Sequence, residues 1–215
     1  MDTTVNTPVA VMNTYGRFPL TVVKGKGSYV WDDKGNEYLD FTSGIATCNL
    51  GHVPEAVKAA LLDQIEKLWH ISNLYHIEPQ QKLATKLTEV SCFDSVFFCN
   101  SGAEANEAAI KLARAYAYNN NKHPHIVTFK KSFHGRTLAT LSATGQEKIQ
   151  TGFAPLVEGF SYMSYNDEQA LDQLIDLKPV AIMLELVQGE GGVIRAEQLW
   201  MNKLVSICHE HKILR

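Results

Sequence analysis

The chain has 215 residues, 45% of them hydrophobic and 20% charged, and 20 Lys and Arg against 23 Asp and Glu leave a formal charge of −3. Such a chain folds around one large core or two modest ones, which excludes disorder as its main state. It shows neither a basic stripe for nucleic acid nor an apolar run of membrane-spanning length.

Cys48, Cys92, Cys99 and Cys208 form no C-x-x-C pair and are too scattered for a disulfide framework, so they read as reduced thiols of a cytoplasmic protein. The opening Met1-Asp2-Thr3-Thr4 resembles neither a secretory leader nor a transit segment. From Leu20 to Phe41 the turns Lys24-Gly25-Lys26-Gly27 and Asp33-Lys34-Gly35-Asn36 separate runs rich in Val, Tyr, Trp and Leu, which predicts a β-meander. Residues 1–45 are expected to form an N-terminal segment built on it, part of a smaller domain. Pro54 opens a helix with Val57, Leu61, Ile65 and Leu68 on one face, and Pro79 a second with Leu83, Leu87 and Val90 turned inward.

Beyond these helices the pattern changes to strand, turn, helix. Ser95 to Cys99 reads as a short buried strand, and Ala103 to Ala117 as an Ala-rich helix with Glu104 and Glu107 near its positive end. His125 to Phe129 and Val180 to Leu186 supply further strands, the second too apolar to be half exposed, and Glu197 to about His211 another helix. This alternation predicts an α/β fold, a mostly parallel sheet flanked by helices, with ligands beyond the carboxyl ends of the strands. Ile213-Leu214 opens one more strand just before Arg215, so 46–215 is expected to be an incomplete large α/β domain, from a fragment or a truncated product.

Three constellations stand at strand ends. Asn100-Ser101-Gly102-Ala103-Glu104-Ala105-Asn106-Glu107 leads from a strand into a helix, where free N–H groups and the helix dipole attract an anion and small residues let it approach. The same residues also suit an ordinary N-cap. Lys130-Lys131-Ser132-Phe133-His134-Gly135-Arg136-Thr137 offers a ring to stack on a flat heterocycle and a guanidinium for a carboxylate, or simply a core Phe and a surface Arg. In Glu185-Leu186-Val187-Gln188-Gly189-Glu190-Gly191-Gly192, a Glu ending so apolar a strand needs a partner, either Arg136 or an arginine elsewhere in the fold, whereas Glu190 also reads as a solvated loop charge. There is no G-x-G-x-x-G, no G-x-x-x-x-G-K-[ST] and no G-x-S-x-G. Cys208-His209-Glu210-His211 is discounted as a metal site because consecutive helical residues diverge.

In this order the three motifs resemble the class III aminotransferases, pyridoxal-phosphate enzymes of fold type I, and the likeness covers the whole chain, about the N-terminal half of such an enzyme. The resemblance implies that Ser101, Gly102 and Ala103 hold the phosphate of pyridoxal 5'-phosphate and that Phe133 stacks on its ring. It implies that Arg136 binds the substrate α-carboxylate and that Glu190 neutralises an arginine of the C-terminal domain when the amino donor binds, with Glu185 near the same charges. The family's usual Pro after that Glu is Leu186 here. Its Schiff-base Lys and the Asp that pairs with the pyridinium nitrogen match no position, so no catalytic residue is assigned and the chain alone is expected to be inactive. With Tyr15 to Leu20, Asp40 to Ala46 and Ser72 to Tyr75 added, the resemblance implies N2-acetylornithine and 2-oxoglutarate as substrates, in arginine biosynthesis. Ornithine, succinylornithine or 4-aminobutyrate as donor, or a non-catalytic product, are the alternatives. A homodimer is implied for the complete enzyme.

Overall fold

The computed structural model describes residues 10–215. They divide into two compact units between Thr85 and Lys86.

In the first unit the meander forms as its turn residues dictate. Strands β1 (Val22–Lys26), β2 (Tyr29–Asp32) and β3 (Glu37–Leu39) pair antiparallel in that order. The buried Asp32 carboxylate closes the second turn, accepting from the backbone N–H groups of Lys34 (3.0 Å) and Asn36 (2.7 Å), the Asn36 side chain (2.9 Å) and the Tyr38 hydroxyl (3.0 Å). These bonds, that of the Asn36 side chain foremost, hold its pKa below the usual carboxylate range. The single turn α1 (Ser43–Ala46) has positive φ throughout, a conformation costly for Ser43, Ile45 and Ala46. It is braced by Asp40, whose Oδ1 accepts from the N–H groups of Thr42 and Ser43 while its Oδ2 meets His52 at 2.7 Å.

Helix α2 (Glu55–Ile65) starts after an extended Pro54, as expected, and α3 (Glu78–Glu89) follows. The residues of α3 expected to turn inward do not, and the apolar face of α2 is open as well. Val57, Leu61, Ile65, Leu83, Leu87 and Val90 are all exposed, and Leu68 lies past the end of α2. A helical stripe is buried only when another layer lies on it, and no described element covers these.

The second unit opens with α4 (Gly102–Asn119), whose Ser101 N-cap accepts from the Glu104 N–H at 3.2 Å. Strand β4 (Ile126–Phe129) follows, then α5 (Leu138–Ala143), α6 (Glu147–Gln150) and β5 (Phe160–Met163). A 3₁₀ turn (Ala170–Asp172) leads into α7 (Gln173–Leu177) and β6 (Ala181–Ile182). The hairpin β7 (Val187–Gln188) and β8 (Ile194–Arg195) precedes α8 (Gln198–Glu210).

The sheet is parallel with β4 in the middle, in the order β5, β4, β6. The expected further strand begins beside β6, where Leu214 N–H donates to the Val180 carbonyl (2.9 Å) and the Ile182 N–H to that of Leu214 (2.8 Å). Alternate residues of β4 face opposite layers. Val127 and Phe129 pack with Trp200, Leu204, Ile207 and Cys208 of α8, whereas Ile126 packs with Ile110, Ala113 and Ala117 of α4.

Two expected strands change. Ser95 to Cys99 has no ladder and Phe97 is exposed, because no described strand offers it a partner. Val180 to Leu186 is cut to two residues; Met183 still donates to the Val127 carbonyl (2.9 Å), after which the chain turns and leaves Leu186 70% exposed.

Candidate functional site

All three constellations fall in the second unit. At the start of α4, a Cβ placed on Gly102 meets nothing within 4 Å, so the first turn of the helix faces open space. Its leading N–H groups have no carbonyl beneath them. Ser101 fulfils the cap reading, and Glu104 closes the turn from outside, accepting from the backbone N–H (2.6 Å) and side chain (3.0 Å) of Asn100.

The Lys130–Thr137 loop leaves β4 and is drawn to this helix end at three points. Asn106 Nδ2 donates to the His134 carbonyl at 2.7 Å, the Thr137 hydroxyl donates to the Glu107 carboxylate, and Gly135 lies against Ala103. With φ at 136°, Gly135 has a backbone that side chains rarely adopt, and a Cβ on it would stand 3.0 Å from that of Ala103 and 2.6 Å from the Thr140 hydroxyl. Glycine there allows the loop to approach the helix.

Within the loop Phe133 is half-buried and Arg136 exposed, the guanidinium 5.7 Å from the centre of the Phe133 ring. Among the described residues Arg136 has no ion-pair partner, which leaves its fork free for an anion. His134 points inward, 4% exposed, and its Nε2 has no hydrogen-bond partner among the described residues. Burial pushes its pKa down to about 4, so the imidazole is neutral at physiological pH.

The third segment crosses beneath this loop. Glu185 does find a partner, but it is not Arg136: its Oε1 accepts from the backbone N–H of Phe133 at 2.9 Å. Gln188, 1% exposed, donates from Nε2 to the Lys130 carbonyl at 3.1 Å. Gly191 lies so close to Lys131 that a Cβ would stand 2.3 Å from its carbonyl oxygen. The Tyr165 hydroxyl steadies the segment from behind by donating to the Glu185 carbonyl at 2.7 Å. Glu190 is exposed at the tip of the β7–β8 loop.

Ser101, Gly102, Ala103, Phe133, Arg136 and Glu185 thus belong to one connected framework at the carboxyl edge of the sheet. Asn106, Gln188 and Tyr165 complete it and were not singled out in the sequence. Asn106 and Gln188 stood inside the motifs, but their polar side chains have no distinctive chemistry; Tyr165 had no local signal at all. Among the described residues no group of His, Cys, Asp or Glu is placed to hold a metal ion, and no helix is long and apolar enough to cross a membrane.

The parallel sheet with helices on both faces agrees with what comparison finds. The chain belongs to the class III aminotransferase family, which it matches over residues 10–214. It is 56% identical to the acetylornithine aminotransferase of Oceanobacillus iheyensis over 100% of its own length and 54% of that protein's. It is 53% identical to that of Synechocystis sp. over 95% of this chain and 50% of the relative. Among solved structures, the ornithine aminotransferase of Toxoplasma gondii superposes with a TM-score of 0.89 at 30% identity, covering 95% of this chain and 49% of that one. The N-acetylornithine aminotransferase of Stenotrophomonas maltophilia gives 0.77 at 37% identity, over 93% of this chain and 50% of that one. The chain therefore spans about half the length of the relatives it matches.

Proposed function

We propose that this chain carries the phosphate and ring-binding part of a pyridoxal-phosphate aminotransferase site, and that joined to the second half its relatives possess it transfers the δ-amino group of N2-acetylornithine to 2-oxoglutarate. The observation that carries this reading is the close approach of the Phe133–Arg136 loop to the open N-terminus of α4, fixed by Asn106 and Gly135. The residues fit the cofactor: an uncluttered helix end for a phosphate dianion, and beside it a half-buried aromatic ring for a flat heterocycle. When bound, pyridoxal phosphate supplies an electron-poor ring that takes up the amino group and stabilises the charge left when a proton leaves the neighbouring carbon.

The chain's own residues bind and orient. Ser101, Gly102 and Ala103 direct the helix end at the phosphate, and Phe133 covers one ring face. Arg136 takes the α-carboxylate of the donor, which sends its distal amine toward the cofactor. Glu190, free in its loop, is available to pair with an arginine of the second half. The names of the relatives, acetylornithine aminotransferases, support N2-acetylornithine over the other donors; a homodimer as the assembled form and the cytoplasm as its location are proposed with it from the family resemblance. The 215 residues alone, lacking a match to the Schiff-base lysine of the family, are proposed to be inactive.

The test is glutamate formation by the natural full-length polypeptide with pyridoxal 5'-phosphate and 2-oxoglutarate, with N2-acetylornithine, succinylornithine, ornithine and 4-aminobutyrate in turn as donor. The highest kcat/KM is expected for N2-acetylornithine. A preference for another donor overturns the substrate assignment, and no transamination with any donor overturns the function.

A further inference from the structure

We propose that Glu185 is a positioning residue, which sets where the Phe133 ring is presented by accepting a hydrogen bond from the Phe133 backbone N–H and acts through its lone pairs and reach, not through its charge. This rests on the reading of Phe133 as the ring-facing residue and departs from the expectation that Glu185 works within the substrate's charge network.

Three observations carry it. The Glu185 carboxylate meets the Phe133 N–H at 2.9 Å and makes no ion pair among the described residues, so its one defined partner is that peptide group. Phe133 then has a carboxylate fixing its N–H from below while the next N–H, that of His134, donates to the buried Thr144 hydroxyl at 3.0 Å, with Asn106 holding the His134 carbonyl beyond it. Rotation of the Phe133 backbone is thereby restrained at both neighbouring peptide planes, and the direction of its Cα–Cβ bond follows. Finally, Glu185 is itself held: Tyr165 donates to its carbonyl, and three residues on the buried Gln188 fastens the same segment to Lys130. A group anchored on both sides transmits position well. The segment acts as a strut between the aromatic core behind the sheet and the loop in front of it.

Three substitutions in the natural full-length protein separate acceptor, charge and reach. Glu185→Gln keeps an acceptor oxygen at the same distance without the charge. Glu185→Asp keeps the charge but withdraws it by one methylene, and Glu185→Met fills the space with no oxygen at all. Three readouts are taken: hydrogen exchange of the Phe133 amide, affinity for pyridoxal 5'-phosphate by fluorescence quenching, and the circular dichroism induced in the cofactor's absorption band, which reports ring orientation. Glu185→Gln is expected to stay within about twofold of the unmodified protein in exchange rate and affinity and to keep the dichroic band. Glu185→Asp and Glu185→Met are expected to exchange the Phe133 amide about tenfold faster, bind cofactor about tenfold more weakly and lose or reshape the band, as one hydrogen bond is lost.

Equal losses in Glu185→Gln and Glu185→Met would overturn the inference in favour of charge, and so would full retention in Glu185→Asp. Unchanged amide exchange in all three would overturn it outright. Should Glu185→Met fail to fold, the pair Glu185→Gln and Glu185→Asp decides alone. If the unmodified protein binds no pyridoxal 5'-phosphate, the proposed function falls, while the exchange of the Phe133 amide still judges the role of Glu185.

Discussion

His134 makes the stability of the second unit depend on pH in a calculable way. The imidazole is buried, while the backbone N–H of His134 donates to the Thr144 hydroxyl (3.0 Å) and its backbone carbonyl accepts from Asn106. Burial lowers its pKa from 6.5 to about 4. Over that interval the unfolded chain binds a proton that the folded chain refuses, so stability rises with pH. The contribution is complete above the unfolded value and is lost as pH falls toward the folded one. At 1.36 kcal/mol per pH unit the full effect is about 3 kcal/mol, of which about 2.5 kcal/mol is gone by pH 4.5. His125, also lowered by burial, adds in the same sense; in the first unit Asp32, Asp40 and Glu78, held low, bring losses of their own in more acid solution. The assay is urea unfolding at pH 7.5 and 4.5 for the unmodified protein and for His134→Phe, which keeps a ring but cannot titrate. The difference between the two proteins isolates His134. Identical pH dependence in both, or an NMR titration of the folded His134 centred near 6.5, would refute the reasoning.

Other substitutions test other parts of the same unit. Ser101→Ala removes the cap bond to the Glu104 N–H and is expected to cost about 1 kcal/mol in denaturant unfolding, with weaker retention of pyridoxal 5'-phosphate on dialysis. Trp200→Ala empties a site with no solvent exposure and is expected to cost about 3–5 kcal/mol, seen as a large drop in the urea midpoint. Gly135→Ala forces a Cβ against Thr140 and Ala103 at a positive φ; a lower melting temperature and a weaker cofactor affinity are expected together, because the same contact holds the loop to α4.

The residues proposed to touch ligands are legible in the sequence because their chemistry is local. A small-residue turn into a helix, a Phe and Arg three positions apart and a Glu ending an apolar run each announce themselves within eight residues. Their supports are not local. That Asn106 reaches the carbonyl of His134, 28 positions later, depends on how α4 packs against the loop, which no short pattern encodes. The same limit explains Ser95 to Cys99 and Val180 to Leu186. Both have the apolar, β-branched or aromatic make-up of a strand, but a strand exists only where a neighbour supplies the ladder. Strand β5 carries no sequence signal for the opposite reason: Phe160-Ser161-Tyr162-Met163 is short and mixed, and only pairing with β4 defines it. The stripes of α2 and α3 show a third case, in which periodicity reports helix correctly but not what the helix faces.

The aromatic trio behind the sheet gives the site an optical gauge. Trp200 has no contact with solvent, and its ring lies 4.9 Å from that of Tyr165, centre to centre, and 5.2 Å from that of Phe129. Tyr165 in turn donates to the carbonyls of Glu185 and Leu186, at 2.7 and 3.3 Å. Indole emission shifts with the polarity and packing of its surroundings, so Trp200 emits at the blue side of the spectrum while Trp69, 83% exposed, emits at the red. A displacement of the Glu185 segment pulls on the Tyr165 hydroxyl, tilts its ring and alters the quenching of the blue component alone. Occupancy at the front of the sheet is thus readable from a chromophore buried at its back, without any label.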